Sequence, residues 1–244
     1  MRQTALLMMR LNAYLASCGV ASRRKSDAIV LAGSVKVNGK IVLAPYMDVS
    51  GSDAVECRGV PVSPAPKVYA AMNKPRGVVC AVSDRYDRVV VDLLPEGLRR
   101  LRVFPVGRLD RDSDGLLLLT NDGAFAQSIQ HPSNGVAKRY EAMLDSPISP
   151  EALARWRAGF RMKGRAVKPL SVRAMERGPE WVSVTVGEGI NREVREMARL
   201  CGFRVLTLTR RAIGRLVLKN LAPGDFLELP FSSLSSRIKE GGFV

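Results

Sequence analysis

Apolar positions change their period twice along the first sixty residues and again beyond them. Leu11, Tyr14, Leu15 and Cys18 fall at helical spacing, and "VASRRKSDAIVLAGSV" predicts a second helix, capped by Ser22 and stopped by Gly33. The next stretch, "VKVNGKIV", alternates, and Asn38-Gly39 at its centre predicts a tight hairpin. Three prolines in "PVSPAPKV", residues 61 to 68, predict an extended connection. Past it, "GVVCAV", "RVFPVGRL", "GLLLLT", "RYEAML", "VSVTV", "RVLTLT" and "GDFLELP" read as strands, with helices near 123–130, 150–158 and 191–201. The expected fold class is α+β: a small N-terminal domain over 1–60, a linker over 61–67, and a larger domain over 68–244 built on a mixed, mainly antiparallel sheet.

Local signals refine these elements. Asn191 is placed to cap the last of the three helices and Gly202 to stop it, while Val194, Met197, Ala198 and Cys201 form its apolar face. Arg192, Arg195 and Arg199 make a second stripe, with Glu196 in reach of Arg192. Asn121, Asp122 and Gly123 read as the turn and cap of another helix. Lys74-Pro75-Arg76-Gly77 reads as a turn leading a strand, structural first and an RNA contact second.

Composition narrows the classes. The chain has 244 residues with 46% apolar content, enough for a sizeable core. No stretch approaches the ~20 apolar residues of a membrane span, and the opening segment is broken by Arg10, Asn12 and Tyr14. It also lacks the pattern of a cleaved leader, so a cytoplasmic protein is expected. Cys18, Cys57, Cys80 and Cys201 are widely separated in apolar context and are expected to be buried thiols. His131 stands alone before Pro132 at a helix end, which leaves no histidine pair for catalysis or metal binding.

Charge changes the picture most. Lys plus Arg number 38 against 23 Asp plus Glu, a formal net charge of +15, which points to a polyanionic partner and above all to nucleic acid. An anionic membrane surface is the rival, but no basic helix with a bulky exposed apolar face is evident.

The chemistry is concentrated in "GRLDRDSDGLLLLTNDG", residues 107 to 123. Asp110, Asp112, Asp114 and Gly115 imitate the start of a calcium loop, yet Asn121 stands where a bidentate Glu is required and the flanks look like strands. Arg108 and Arg111 also oppose a divalent ion while favouring a charged carboxylate, the state a nucleophile or base needs. No metal is expected.

Two resemblances follow. Residues 10 to 57, with "RLNAYLASCGVASRRKSDAIVLAGSVKVNGK", resemble the alpha-L RNA-binding module of a small-subunit ribosomal protein. The resemblance implies RNA contact through Arg23, Arg24 and Lys25, cations in a first helical turn where the helix dipole disfavours them. The rest resembles the pseudouridine synthases of the ribosomal small-subunit type, which include the large-subunit types B, E and F. "MNKPRGVVC", the 107–123 block, "KRYEAML" and "GEGINREVREMARLCGFRVLTLTRRAIGRL" carry that likeness across nearly all of residues 68 to 229.

It implies an isomerase that turns a specific uridine of ribosomal RNA into pseudouridine after flipping it, with Asp110 as the essential aspartate. The Asp112-Ser113-Asp114 stretch is more acidic than the family pattern. Arg108 corresponds to the arginine that holds the nucleotide out of the stack, Tyr140 to the tyrosine packed on the flipped base, and Arg195 to the basic partner of the aspartate. The isomerisation has no redox change, so no cofactor is expected; Asp110 could attack sugar or base, or take the ribose 2′ proton. Expected partners are ribosomal RNA or a pre-ribosomal particle, with large-subunit RNA favoured, no membrane, and a monomeric protein. A non-catalytic RNA-binding factor and an assembly chaperone are the competing classes; Asp110, Tyr140 and Arg195 together argue against both.

Overall fold

A computed structural model describes residues 8–162, 164–190 and 192–239. It divides into two compact units, Met1–Lys67 and Val68–Val244.

In the first unit, helices α1 (Leu11–Ser17) and α2 (Arg23–Leu31) share one core with a four-stranded sheet. Its strands are β1 (Val35–Val37), β2 (Lys40–Ile41), β3 (Val55–Cys57) and β4 (Val60–Pro61), in the spatial order β2-β1-β3-β4. The Ser22 side chain accepts from the Lys25 N–H, as its position predicts. Asn38 and Gly39 adopt φ of 51° and 78°, the left-handed pair that a two-residue hairpin turn requires. Asn38 also donates to Asp53 at 2.8 Å and accepts from the Ala54 N–H at 2.9 Å, which stitches the hairpin to the following loop. The proline-rich stretch stays attached to this unit, since Val62 N–H donates to Val55 and Ala65 N–H to Ser17.

The second unit is organised by one sheet, ordered β9-β10-β8-β11-β7-β5-β13. Its strands are β5 (Tyr69–Lys74), β7 (Asp114–Thr120), β8 (Lys138–Leu144), β9 (Ser171–Met175), β10 (Gly178–Val186), β11 (Val205–Ile213) and β13 (Phe226–Glu228). The short strands β6 (Phe104–Val106) and β12 (Leu216–Val217) pair with β7 and β11. Neighbours run antiparallel except β7 and β11, which pair in parallel through Thr209 with Asp114 and Arg210 with Gly115.

The leucine run of β7 explains why no alternation marks it. Leu116 and Leu118 face a core containing Phe125 and Ile129 of α3 (Gly123–Gln130) and Leu234 and Ile238 of the C-terminal helix. Leu117 and Leu119 face a second core on the opposite side, with Met72, Val90 and Leu98. A strand buried on both faces reads as a continuous apolar block. A third core gathers Val182, Val184 and Leu208 under Trp156 of α4 (Pro150–Ala158) and Met197 of α5 (Glu193–Leu200).

Several expectations change. "GVVCAV" is a loop with one bridge, Val79 to Val89, because Gly77 (φ +83°) turns the chain out of the sheet. The strand lies just before it, at Tyr69–Lys74. Cys57 and Cys80 are buried as expected, but Cys18 and Cys201 are half-buried. The cap expected at Asn191 lies outside the described residues. His131 does stand at a helix end, where its Nδ1 accepts from the Ser133 N–H. Among the described residues, no helix is long and apolar enough to cross a membrane.

Candidate active site

The loop between β6 and β7 enters the centre of the sheet at its one parallel step, and it is fixed from below. Lys74, at the end of β5, is wholly buried and donates from Nζ to the carbonyls of Pro75 (3.0 Å), Asp110 (3.2 Å) and Ser113 (2.8 Å). Burial pushes its pKa down, while Asp114, Asp112 and Asp110 push it up. The Cys80 thiol accepts from the Leu109 N–H at 3.3 Å. Gly115 closes the loop onto β11: with φ +106°, an added β-carbon would lie 2.6 Å from the Arg210 nitrogen. Only glycine fits there without moving one strand.

Side chains of α5 reach the loop from the other direction. Arg192 lies 3.4 Å from Asp110 and 3.8 Å from Asp112. Arg195, largely buried, pairs with Asp112 at 2.9 Å and donates to the Val205 carbonyl (3.0 Å) and the Ser113 hydroxyl (3.2 Å). In place of the expected Arg195–Asp110 pair, Arg192 meets both Asp110 and Asp112, and Arg195 meets Asp112. Arg195 lies within α5, whereas Arg192 stands at its cap, outside the helix, so helical spacing does not place the two side chains relative to each other. Glu196 pairs with Arg199 rather than Arg192. Arg192 itself has φ 57°, a left-handed backbone at the helix cap, which costs on the order of 1 kcal/mol for a non-glycine residue.

Asp110 opens onto a cavity of about 340 Å³, lined by Arg108, Lys138, Tyr140, Glu193 and Arg210 among others. That size suits a small polar ligand or one extruded nucleotide. Tyr140 is half-buried at the middle of β8, directly across from Arg210 on β11, where the register slips by one residue. Such a bulge re-aims side chains beside a site. Arg210 is buried, donating to Leu116 (2.7 Å) and Arg108 (3.3 Å) carbonyls, with one terminal nitrogen unpartnered.

Glu193 and Lys138 line the same cavity. Glu193 is 5% exposed and accepts from the Ile190 N–H at 3.2 Å. Burial above all, then the neighbouring Glu188, raises its pKa to about 7, against the pull of Lys138 and the backbone bond. Burial and then Arg210 lower the pKa of Lys138, which Glu193 partly offsets.

A carboxylate partly open to solvent, in a cavity of nucleotide size that a tyrosine and arginines also line, can act as a nucleophile or base on a flipped base. The sequence comparisons meet this geometry. A family model described as RNA pseudouridylate synthase matches residues 68–200, more than half of the chain, and an S4 domain model matches residues 9–55. The chain belongs to the RNA pseudouridylate synthase family. It is an RNA pseudouridine synthase, an isomerase. The synthase is 38% identical over 226 residues to ribosomal large subunit pseudouridine synthase B of Bacillus subtilis, covering 91% of this chain and 92% of that one. It is 32% identical over 234 residues to the dual-specificity RNA pseudouridine synthase RluF of Escherichia coli K12, covering 95% and 79%. A crystal structure of a pseudouridylate synthase superposes with TM-score 0.69 at 26% identity, covering 94% of the synthase and 100% of that chain.

The structure brings Arg108, Asp110 and Tyr140 to one cavity and sets Arg195 just behind the loop. Arg23, Arg24 and Lys25 stand exposed in the first turn of α2 of the other unit, with no acidic residue in that turn. Lys74 reads from the sequence as a turn residue, and Lys138, Glu193 and Arg210 fall in no motif that marks them. A lysine ending the apolar run "YAAMNK" was the available signal for the first. The others look like ordinary surface charges until the fold buries them.

Proposed function

We propose that this synthase isomerises a uridine of ribosomal RNA, with a site in large-subunit RNA favoured, and that Asp110 is its key catalytic group. The observation that carries the reading is Asp110 on the wall of the cavity that Tyr140 and Arg108 also line. The relatives' names support the substrate class: one is a large-subunit enzyme, and another is described as dual-specificity.

The target must first leave its helix, which costs a few kcal/mol and least where it is unpaired. Tyr140 supplies a ring face for the extruded base, and Arg108 reaches toward the space it vacates. Within the cavity the bond from uracil N1 to ribose C1′ breaks, the ring turns, and C5 joins C1′; the C5 proton leaves and N1 gains one, so the product is an isomer of the substrate. Asp110 assists by attacking C1′ or the base, or by taking the 2′ proton toward a glycal. Arg192, 3.4 Å away, counters its charge between events, and Arg195 holds the neighbouring Asp112 so that the loop keeps its shape. The first unit supports the reading as an RNA anchor through Arg23, Arg24 and Lys25, whose contacts would be with phosphate.

The test incubates the protein with large- and small-subunit ribosomal RNA separately and maps new pseudouridines chemically. A modified site in the large-subunit RNA is expected. Modification confined to the small-subunit RNA rejects the subunit preference, and no modification in either rejects the substrate. In the same assay, replacing Arg23, Arg24 and Lys25 by Gln is expected to lower the salt dependence of RNA binding by roughly two phosphate contacts; an unchanged slope removes the anchor role.

A further inference from the structure

Beside the catalytic cavity lies a second, shallower groove of about 650 Å³, lined by Arg76, Arg108, Asp110, Arg111 and Arg192. Its wall residue Arg111 is tied to the segment that precedes the catalytic loop in sequence: Arg111 donates to the Gly77 carbonyl at 3.1 Å and accepts from the Gly77 N–H at 2.7 Å. The same guanidinium pairs with Asp87 at 2.9 Å. Asp87 belongs to an outlying loop, 82–88, that has no part in the sheet.

That loop is well built and yet covers nothing. Asp84 accepts from the N–H groups of Tyr86 (2.9 Å) and Asp87 (3.0 Å), and the Val79 N–H donates to the Arg88 carbonyl at 3.0 Å, so both ends and the tip are held. At the tip, Tyr86 is 86% exposed and Val82 57% exposed. The Arg85 guanidinium lies 5.4 Å from the Tyr86 ring centre, and Arg88 is exposed two residues on. A tyrosine this bare adds nothing to the core; with Asp87 paired to Arg111 and Asp84 turned to backbone N–H groups, Arg85 and Arg88 stand exposed beside the ring, and an aromatic with arginines is the chemistry that receives a nucleobase and its phosphates.

We propose that loop 82–88 is a stacking finger for substrate RNA, in which the Tyr86 ring takes the face of an unpaired base beside the target uridine while Arg85 and Arg88 meet adjoining phosphates. The proposal rests on the reading of the chain as an enzyme that extrudes a uridine from ribosomal RNA. Extrusion leaves a neighbouring base without its stacking partner, and an aromatic ring near the groove replaces that partner. The ion pair Asp87–Arg111 links the finger to the loop that carries Asp110, so a base seated on Tyr86 also steadies the groove wall.

The test uses the full chain and a short single-stranded RNA of mixed sequence with a central 2-aminopurine. Tyr86→Ala is expected to weaken binding about ten-fold, the usual scale of one lost base–aromatic stack, and to abolish the fluorescence quenching seen with wild type. Tyr86→Phe and Tyr86→Trp keep both. Melting temperature stays unchanged in all three because the side chain is exposed. Equal affinity for wild type and Tyr86→Ala, or wild-type binding without quenching, overturns the finger. Pseudouridine formation in ribosomal RNA is scored separately: its absence, with the Tyr86 differences intact, overturns the enzymatic reading and leaves the finger standing.

Discussion

The cavity is lined by two carboxylates, and the protein treats them in opposite ways. Asp110 is reached by solvent, with 29% of its side chain exposed, and faces the Arg192 guanidinium. Glu193, at 5% exposure, is withdrawn from water beside a lysine whose own charge is disfavoured by burial. The first meets a counter-charge and solvent; desolvation brings the second to the edge of protonation near neutral pH, with its pKa at about 7.

Breaking the Asp110 loop from beneath should have the largest effect. Lys74→Met strands the carbonyls of Pro75 and Ser113 around an apolar tip and leaves the Asp110 carbonyl with the Ser113 N–H alone; buried acceptors without donors cost about 1–3 kcal/mol each. Thermal denaturation is expected to show a loss of several kcal/mol, and steady-state kinetics a fall in kcat of about a hundred-fold. Wild-type stability would mean that Lys74 does not hold the loop.

Next comes a contrast between the two arginines. Arg195→Ala removes a largely buried clamp on Asp112, Ser113 and Val205, and is expected to cost on the order of 2–3 kcal/mol together with about ten-fold or more in kcat. Arg192→Ala removes an exposed partner of Asp110, an arrangement worth about 0–1 kcal/mol in stability, so only catalysis should suffer. Equal destabilisation by the two would contradict the division between clamp and counter-charge.

For Glu193 the probe is pH. Because the pKa of Glu193 is raised on folding, the native state binds more protons than the unfolded state between the ordinary glutamate value and about pH 7. Stability from this group is therefore greatest in acid and falls as pH rises through that window, by on the order of 3 kcal/mol in the limit of full desolvation. Lys138, Glu188 and the Ile190 N–H face the carboxyl, and Glu193→Gln keeps its shape without its charge. Denaturation between pH 5 and 8 should show a flatter stability profile in the variant; identical slopes would mean that the buried carboxyl does not titrate.

Where local chemistry dictates a conformation, the chain is readable. Ser22 and Asp122 cap helices through their own side chains, and Asn38-Gly39 turns a hairpin by adopting the left-handed backbone those residues tolerate. The Asp110 block is readable because Gly115 and the leucines each answer a tight local demand. Tyr69–Lys74 was missed as a strand because a central strand covered on both sides shows no alternation, and its alanines give little strand signal. "GVVCAV" misled for the complementary reason: Val78 and Cys80 reach the core from a loop, so their burial imitates a strand. The arginine pairing was not legible because Arg192 leaves the helix through a left-handed cap, which the linear spacing of Arg192 and Arg195 does not show. Buried charge was the least visible feature, since Lys74 and Glu193 are residue types that ordinarily mark solvent.

The central claim concerns one side chain, and paired measurements on Asp110→Asn test it most directly: single-turnover pseudouridine formation on ribosomal RNA, and RNA affinity in the same buffer. The account predicts a rate lower by at least about a thousand-fold, with affinity within a few-fold of wild type because the arginines and the N-terminal unit are untouched. A variant that still forms pseudouridine at a rate near wild type would contradict it.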